Sequence, residues 1–139
     1  MVHRLLIYDS DCKAYEEILS KRLPRLEIQS AVRPEEARDF IENVEIILSW
    51  QIPDNLLKRA KRLQWFSSMA AGNEDLVKNP HLPEDVILTK ATVYGEMMAE
   101  YVFAYLLHFS RNVSKHFGDQ KNRIWDRKRP ERLKGKVMG

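Results

Sequence analysis

The sequence predicts an α/β fold in which a parallel sheet of five strands carries helices on both faces. Two observations lead there. Apolar runs of strand length recur with helix-patterned stretches between them, which is the order of a helix-covered parallel sheet. The runs are also continuous rather than alternating, as in strands buried on both faces. At 139 residues, 44% hydrophobic and 31% charged, the composition is globular and the length suits one ordinary domain.

The elements follow in order. Arg4 to Tyr8 is a central strand, and Asp9-Ser10-Asp11 offers cap residues for a helix bearing Tyr15, Ile18, Leu19 and Leu23 at helical spacing. Pro24 ends that helix. Leu26 to Ala31 is the second strand, and Pro34 sits where a first helical turn tolerates it, ahead of Ala37, Phe40 and Ile41. Val44 to Leu48 is the third strand. A short helix from Asp54 to Ala60 leads into a fourth strand, Leu63 to Ser67. Next comes the small-residue turn Ser67 to Glu74, then a helical pattern from Glu74 to Lys78, and Val86 to Thr89 is the fifth strand. This βα succession is flavodoxin-like, an arrangement in which ligands gather outside the carboxyl ends of the strands. The loops at Asp9, Trp50 and Ala71 all fall on that edge.

From Gly95 the pattern changes. Met97 to Phe109 is apolar on nearly every side, broken only by Glu100 and His108, so it is expected to be buried nearly all round. A single helix from Gly95 to Phe117 would be roughly 35 Å long, more than a domain of this size covers. Leu133 to Gly139 then begins like the lead-in to another strand. These residues imply that a second domain, a partner subunit or both cover the helix, with 1–94 as one domain and 95–139 as the linking helix and the start of another.

Charge is uneven. Residues 111 to 139 hold ten Lys and Arg against three Asp and Glu, a net +7 within a chain of net +3. The segment carries no aromatic ring of Phe, Tyr or Trp type beyond Phe117 and Trp125, so a solvated or domain-contacting basic stretch is expected, not a nucleic-acid binder. No apolar run reaches the roughly 20 residues of a membrane helix. Cys12 is the one cysteine, which excludes an internal disulfide and points to a reducing cytoplasm. His3, His81, His108 and His116 lack metal-ligand spacing. Ser67 and Ser68 lack a nucleophile elbow. A stand-alone receiver-like module is the rival on fold grounds. Asp9, Asp11, Ser67 and Lys90 suit it loosely, but the third strand ends in Ser49-Trp50 with no phosphoacceptor Asp.

The ordered motifs Trp50-x-x-Pro53, Leu63-x-Trp65-x-x-Ser68-x-Ala70-Ala71-Gly72 and Tyr94-Gly95-Glu96-Met97-Met98-Ala99-Glu100-Tyr101, with Trp125 and Leu133-x-Gly135-Lys136, resemble the D-isomer-specific 2-hydroxyacid dehydrogenases. The glyoxylate/hydroxypyruvate reductase branch is the most similar. The resemblance implies an amino-terminal flavodoxin-like substrate domain, then a long helix that crosses to a Rossmann domain and forms a homodimer. NAD or NADP would be bound mainly by that later domain, and the family's catalytic Arg, Glu and His would lie in or beyond it. No residue of this chain is therefore expected to be catalytic.

The same resemblance assigns the Ala70-Ala71-Gly72 turn to the carboxylate of a small 2-oxo acid, with the Ala71 and Gly72 amides as donors. Adjacent N–H groups ahead of a helix do suit an anion, although the residues alone read first as a plain tight turn. Trp50 would line the substrate pocket or stand as an edge tryptophan. Tyr94 and Met98 would lie toward the nicotinamide, with helical packing the plainer reading of the methionine. Trp125 would reach the neighbouring subunit's site. The family usually has Asp two residues after the Gly, where this chain has Glu74.

Overall fold

The computed structural model describes residues 2–127 and 129–138, in two compact units, Met1–Thr92 and Val93–Gly139. In the first unit β1 (His3–Tyr8), β2 (Leu26–Ala31), β3 (Ile46–Ser49), β4 (Trp65–Ser68) and β5 (Ile87–Lys90) form one all-parallel sheet in the order β2-β1-β3-β4-β5. The flavodoxin-like α/β fold expected from the sequence is the fold observed. The central strands are buried on both faces because each face carries apolar residues. Leu5 and Ile7 point to one side, with Cys12 and Leu19 of α1 (Cys12–Arg22) over them. Leu6, Ile47 and Phe66 point to the other. There Ala37 of α2 (Pro34–Ala37), Ile41 in a 3-10 turn, and Leu56 and Leu57 of α3 (Asp54–Leu57) complete the larger core.

Several elements are shorter than the periodicity suggests. The Pro34 helix ends at Ala37 and resumes only as the 3-10 turn Ile41–Asn43, and α3 ends at Leu57 rather than Ala60. β3, β4 and β5 start one or two residues later than their apolar runs, because Val44, Leu63 and Val86 pack on the core from the approaches to the strands. Ile18 on α1 and Leu23 at its C-cap are about half exposed, and Leu19 alone of the expected apolar set packs against the core. The expected side-chain cap is also absent. Asp11 holds the N-cap position without a cap bond, and Asp9 Oδ1 instead accepts the Asp11 amide at 2.9 Å. Cys12 is buried.

The second unit corrects the single helix expected from Gly95 to Phe117. α5 (Tyr94–Ser110), about 25 Å long by its residue count, ends at Arg111, and α6 (Val113–Lys121) starts afresh. Asn112, with φ of 50°, breaks the helix, since left-handed backbone cannot continue the right-handed bonding pattern and asparagine tolerates it better than most residues. The premise that His108 and His116 share one helix fails with it. His108 Nε2 lies 2.8 Å from Ser114 Oγ across the break. No residue of α5 is buried, and Tyr101, Tyr105 and Phe109 stack along one side at i, i+4 spacing, with ring centroids 5.0 and 6.3 Å apart. From Leu133 the chain makes a turn, closed by Lys136 N–H on Leu133 O at 3.0 Å, and not a strand; Gly139 lies outside the described residues.

Candidate functional site

The carboxyl ends of β1, β3 and β4 are stitched together by two buried serines. Ser49 closes β3 and Ser68 closes β4, and the two are register partners. Ser49 Oγ lies within donor distance of Tyr8 O (2.9 Å) and Gln51 O (2.7 Å), which anchors the start of the Trp50 loop to the end of β1. Met69 N–H continues the ladder onto Ser49 O at 3.0 Å, and Ala91 N–H bonds Ser68 O at 3.0 Å. From sequence, Ser68 reads only as a motif residue lacking a nucleophile elbow and Ser49 only as the end of the third strand, although a serine closing an apolar strand ahead of a loop is a recognisable signal for such an anchor.

The turn after β4 grows out of that lattice. Ser68 Oγ accepts the Ala70 amide at 3.2 Å, folding the chain back on itself, so the Ala70 N–H is spent within the turn. The next two amides, of Ala71 and Gly72, donate to no acceptor among the described residues, and both residues are exposed. Unpaired exposed N–H groups of this kind are free to meet water or an anion. Asn73 follows as the N-cap of α4 (Glu74–Val77), yet its side chain makes no cap bond and its Oδ1 is buried without a partner. Glu74 turns back over the glycine, its Oε2 standing 2.6 Å from where a β-carbon on Gly72 would be.

Trp50 sits at the first loop position after β3, half exposed. The β3–β4 pairing brings its loop beside the Ala70-Ala71-Gly72 turn, at adjacent strand ends. Tyr8, at the end of β1, has its phenol held above the ordinary tyrosine value, by burial first and by Glu35 and Glu36 second. In the second unit Tyr94 opens α5 and Met98 lies one turn on, so the two share a side of that helix. Met98 is well exposed, and Trp125, beyond α6, is 93% exposed. Among the described residues no group of His, Cys, Asp and Glu is arranged to hold a metal ion, and no helix is long and apolar enough to cross a membrane.

No family model matches the chain, and no curated protein does. Solved structures do. The chain has a flavodoxin-like parallel α/β fold, and its neighbours give that class a more definite form. A D-isomer-specific 2-hydroxyacid dehydrogenase family protein from Aeromonas salmonicida matches at 30% identity and a TM-score of 0.81, over 96% of this chain and 44% of that one. An NADPH-dependent glyoxylate/hydroxypyruvate reductase from Sinorhizobium meliloti, solved with NADP and sulfate, matches in fold at 20% identity, TM-score 0.75, over 94% and 42%. D-lactate dehydrogenase from Aquifex aeolicus, solved with NAD and lactic acid, matches in fold at 17% identity, TM-score 0.58, over 91% and 39%. The resemblance to the D-isomer-specific 2-hydroxyacid dehydrogenase family therefore holds in structure as in sequence, and the chain spans less than half the length of these proteins.

Proposed function

We propose that this chain is the substrate-domain portion of an oxidoreductase that transfers a hydride between NAD(P)H and a small 2-oxo acid, glyoxylate or hydroxypyruvate. The observation that carries the reading is the pair of unspent amides at Ala71 and Gly72, set at the carboxyl edge of a sheet whose fold is that of 2-hydroxyacid dehydrogenases. In this reading the two N–H groups hold the substrate carboxylate. Trp50 walls the same edge with a flat apolar surface that restricts the acid to two or three carbons. The nicotinamide, bound mainly by sequence beyond this chain, supplies the hydride, and an Arg and a Glu-paired His there grip the carbonyl and deliver the proton.

Residues 1–94 then form the substrate domain, and 95–139 link it to the dinucleotide-binding domain. Tyr94 and Met98 face the nicotinamide side of the cleft. The exposed aromatic side of α5 pairs with a second copy, and Trp125 reaches the neighbouring subunit's site. A cytoplasmic location accords with the single cysteine. Alone, the chain is inactive.

The test is an assay of the longer enzyme with NADPH or NADH and glyoxylate. Trp50→Ala is expected to raise KM for glyoxylate and to relax discrimination against larger 2-oxo acids. Unchanged discrimination removes Trp50 from the pocket, and absence of any 2-oxo acid reduction overturns the reading. For the dimer, Tyr105→Glu, in the aromatic row of α5, is expected to shift the enzyme to monomers in sedimentation; a dimer that survives it places the interface elsewhere.

A further inference from the structure

The chain leaving α6 is fixed by more contacts than a loop needs. Arg123 N–H bonds Gln120 O at 3.1 Å and Ile124 N–H bonds Asp119 O at 2.8 Å, the paired closure of a Schellman cap. Its left-handed position, where glycine is the usual occupant, holds Arg123 at φ of 56°. Two residues beyond stands Trp125, its indole 93% exposed. Trp125 also borders an open cavity of about 480 Å³ along α6, with His116, Gln120 and Ile124 among its other walls. A bulky apolar ring kept in solvent on a strained turn is a placement that burial does not explain.

Lys115 supplies the tie. Its Nζ pairs with Asp119 one turn further along α6 and with Asp126, beyond the cap, at 2.8 Å. The first pair is an ordinary i, i+4 helix contact. The second leaves the helix, so one ammonium joins α6 to the residue next to Trp125. A lysine suits this because its three donors serve two acceptors from a point charge. The carboxylates hold the ammonium above the ordinary lysine value, through the hydrogen bond with Asp119 first and with Asp126 second. Without the ammonium the two carboxylates would lose the charge that draws them toward one point.

We propose that Lys115 is a positioning residue: by bridging Asp119 and Asp126 it fixes the direction in which Trp125 presents its indole. Its functional meaning rests on the reading above that Trp125 completes a substrate site.

The indole N–H signal of Trp125 in the nitrogen-15-labelled chain, identified by its loss in Trp125→Phe, reports the tie. Lys115→Met keeps the aliphatic stem and removes the charge. The expected result is a fall of the Trp125 indole heteronuclear NOE toward the value of a free segment, with the Trp50 and Trp65 signals unmoved and the parent value restored by Lys115→Arg. Asp126→Asn, which leaves the pair within α6 intact, must loosen the same signal, so the test survives any unravelling of α6 in the first variant. An unmoved Trp125 signal in both variants overturns the positioning role. In the longer enzyme Lys115→Met is expected to raise KM for the 2-oxo acid several-fold with little change in kcat, in step with Trp125→Ala. A loosened indole with KM unmoved in both variants upholds the positioning role and overturns instead the assignment of Trp125 to the site.

Discussion

The Glu74 carboxylate lies against Gly72, one of its oxygens 2.6 Å from the place a β-carbon would take. The turn proposed to hold a substrate carboxylate thus has a second carboxylate at its shoulder, and the two charges oppose each other. Two like charges a few ångströms apart in high dielectric cost about 1 kcal/mol. Glu74→Gln in the longer enzyme is therefore expected to lower KM for a 2-oxo acid by about two- to fivefold, with the difference shrinking as salt is raised. Equal KM values at low salt would show that the carboxylate swings clear when substrate binds.

Two phenylalanines distinguish the cores of the two units. Phe66, 1% exposed, stands on β4 within the larger core, and Phe103, on α5, is 56% exposed. Phe66→Ala removes a fully packed ring, and a loss of about 3–5 kcal/mol in denaturant unfolding is expected. Phe103→Ala in the same 139-residue chain is expected to change unfolding by less than about 1 kcal/mol, since little burial is lost. A large loss at Phe103 would show that its side of α5, opposite the row of Tyr101 and Tyr105, is already covered within this chain.

The sheet was legible because Leu5, Leu6, Ile7 and Ile47 form unbroken apolar runs that only a strand buried on both faces explains. β2 is observed with the bounds the periodicity predicts, since Pro24 and Pro34 punctuate the sequence around it. The break at Asn112 was not legible: the apolar stretch ends at Phe109, but Ser110, Arg111 and Asn112 read equally well as the polar side of a continuing helix that Val113 and Phe117 would rejoin, and a left-handed residue leaves no mark on hydropathy. The capping role of Asp11 was not realised, because the Ala14 amide that its side chain would have accepted bonds the Asp11 carbonyl instead, at 3.0 Å. At the candidate site the small-residue turn announced itself, but only the geometry shows Ser68 consuming the Ala70 amide and leaving those of Ala71 and Gly72. Lys115 had no sequence signal beyond its i, i+4 partner, since Asp126 lies past a turn that the sequence does not display.

Arg123 closes α6 in left-handed backbone at a position where most helices use glycine. A side chain there costs about 1 kcal/mol relative to glycine. Arg123→Gly is expected to stabilise the second unit by about 0.5–1 kcal/mol, read as slower amide exchange at Ile124 and along the last turn of α6. Asn112→Ala, at the other left-handed position, is expected to go the opposite way, because alanine lacks asparagine's tolerance of that backbone. Faster exchange at Ile124 in Arg123→Gly would mean that the arginine side chain holds the turn by contacts of its own.

Glu36 governs the acid limb of stability. It is the third residue of α2, and its carboxylate accepts the Val32 amide at 2.9 Å, the Arg33 amide at 3.3 Å and Arg33 Nε at 2.9 Å. These bonds, the Val32 amide first and the Arg33 side chain second, lower its pKa from 4.5 to about 2. A carboxyl whose folded value lies below its unfolded one binds its proton more readily in the unfolded chain. Its contribution is therefore present above pH 4.5 and is lost as pH falls toward 2. Glu36→Gln is expected to destabilise the first unit at pH 6 and to flatten the fall in stability between about pH 4.5 and 2, so that parent and variant converge at the acid end. Because the group is partly exposed, the gap at pH 6 should also narrow in salt. Parallel pH profiles for parent and variant would show that Glu36 makes the same bonds in the unfolded chain as in the folded one.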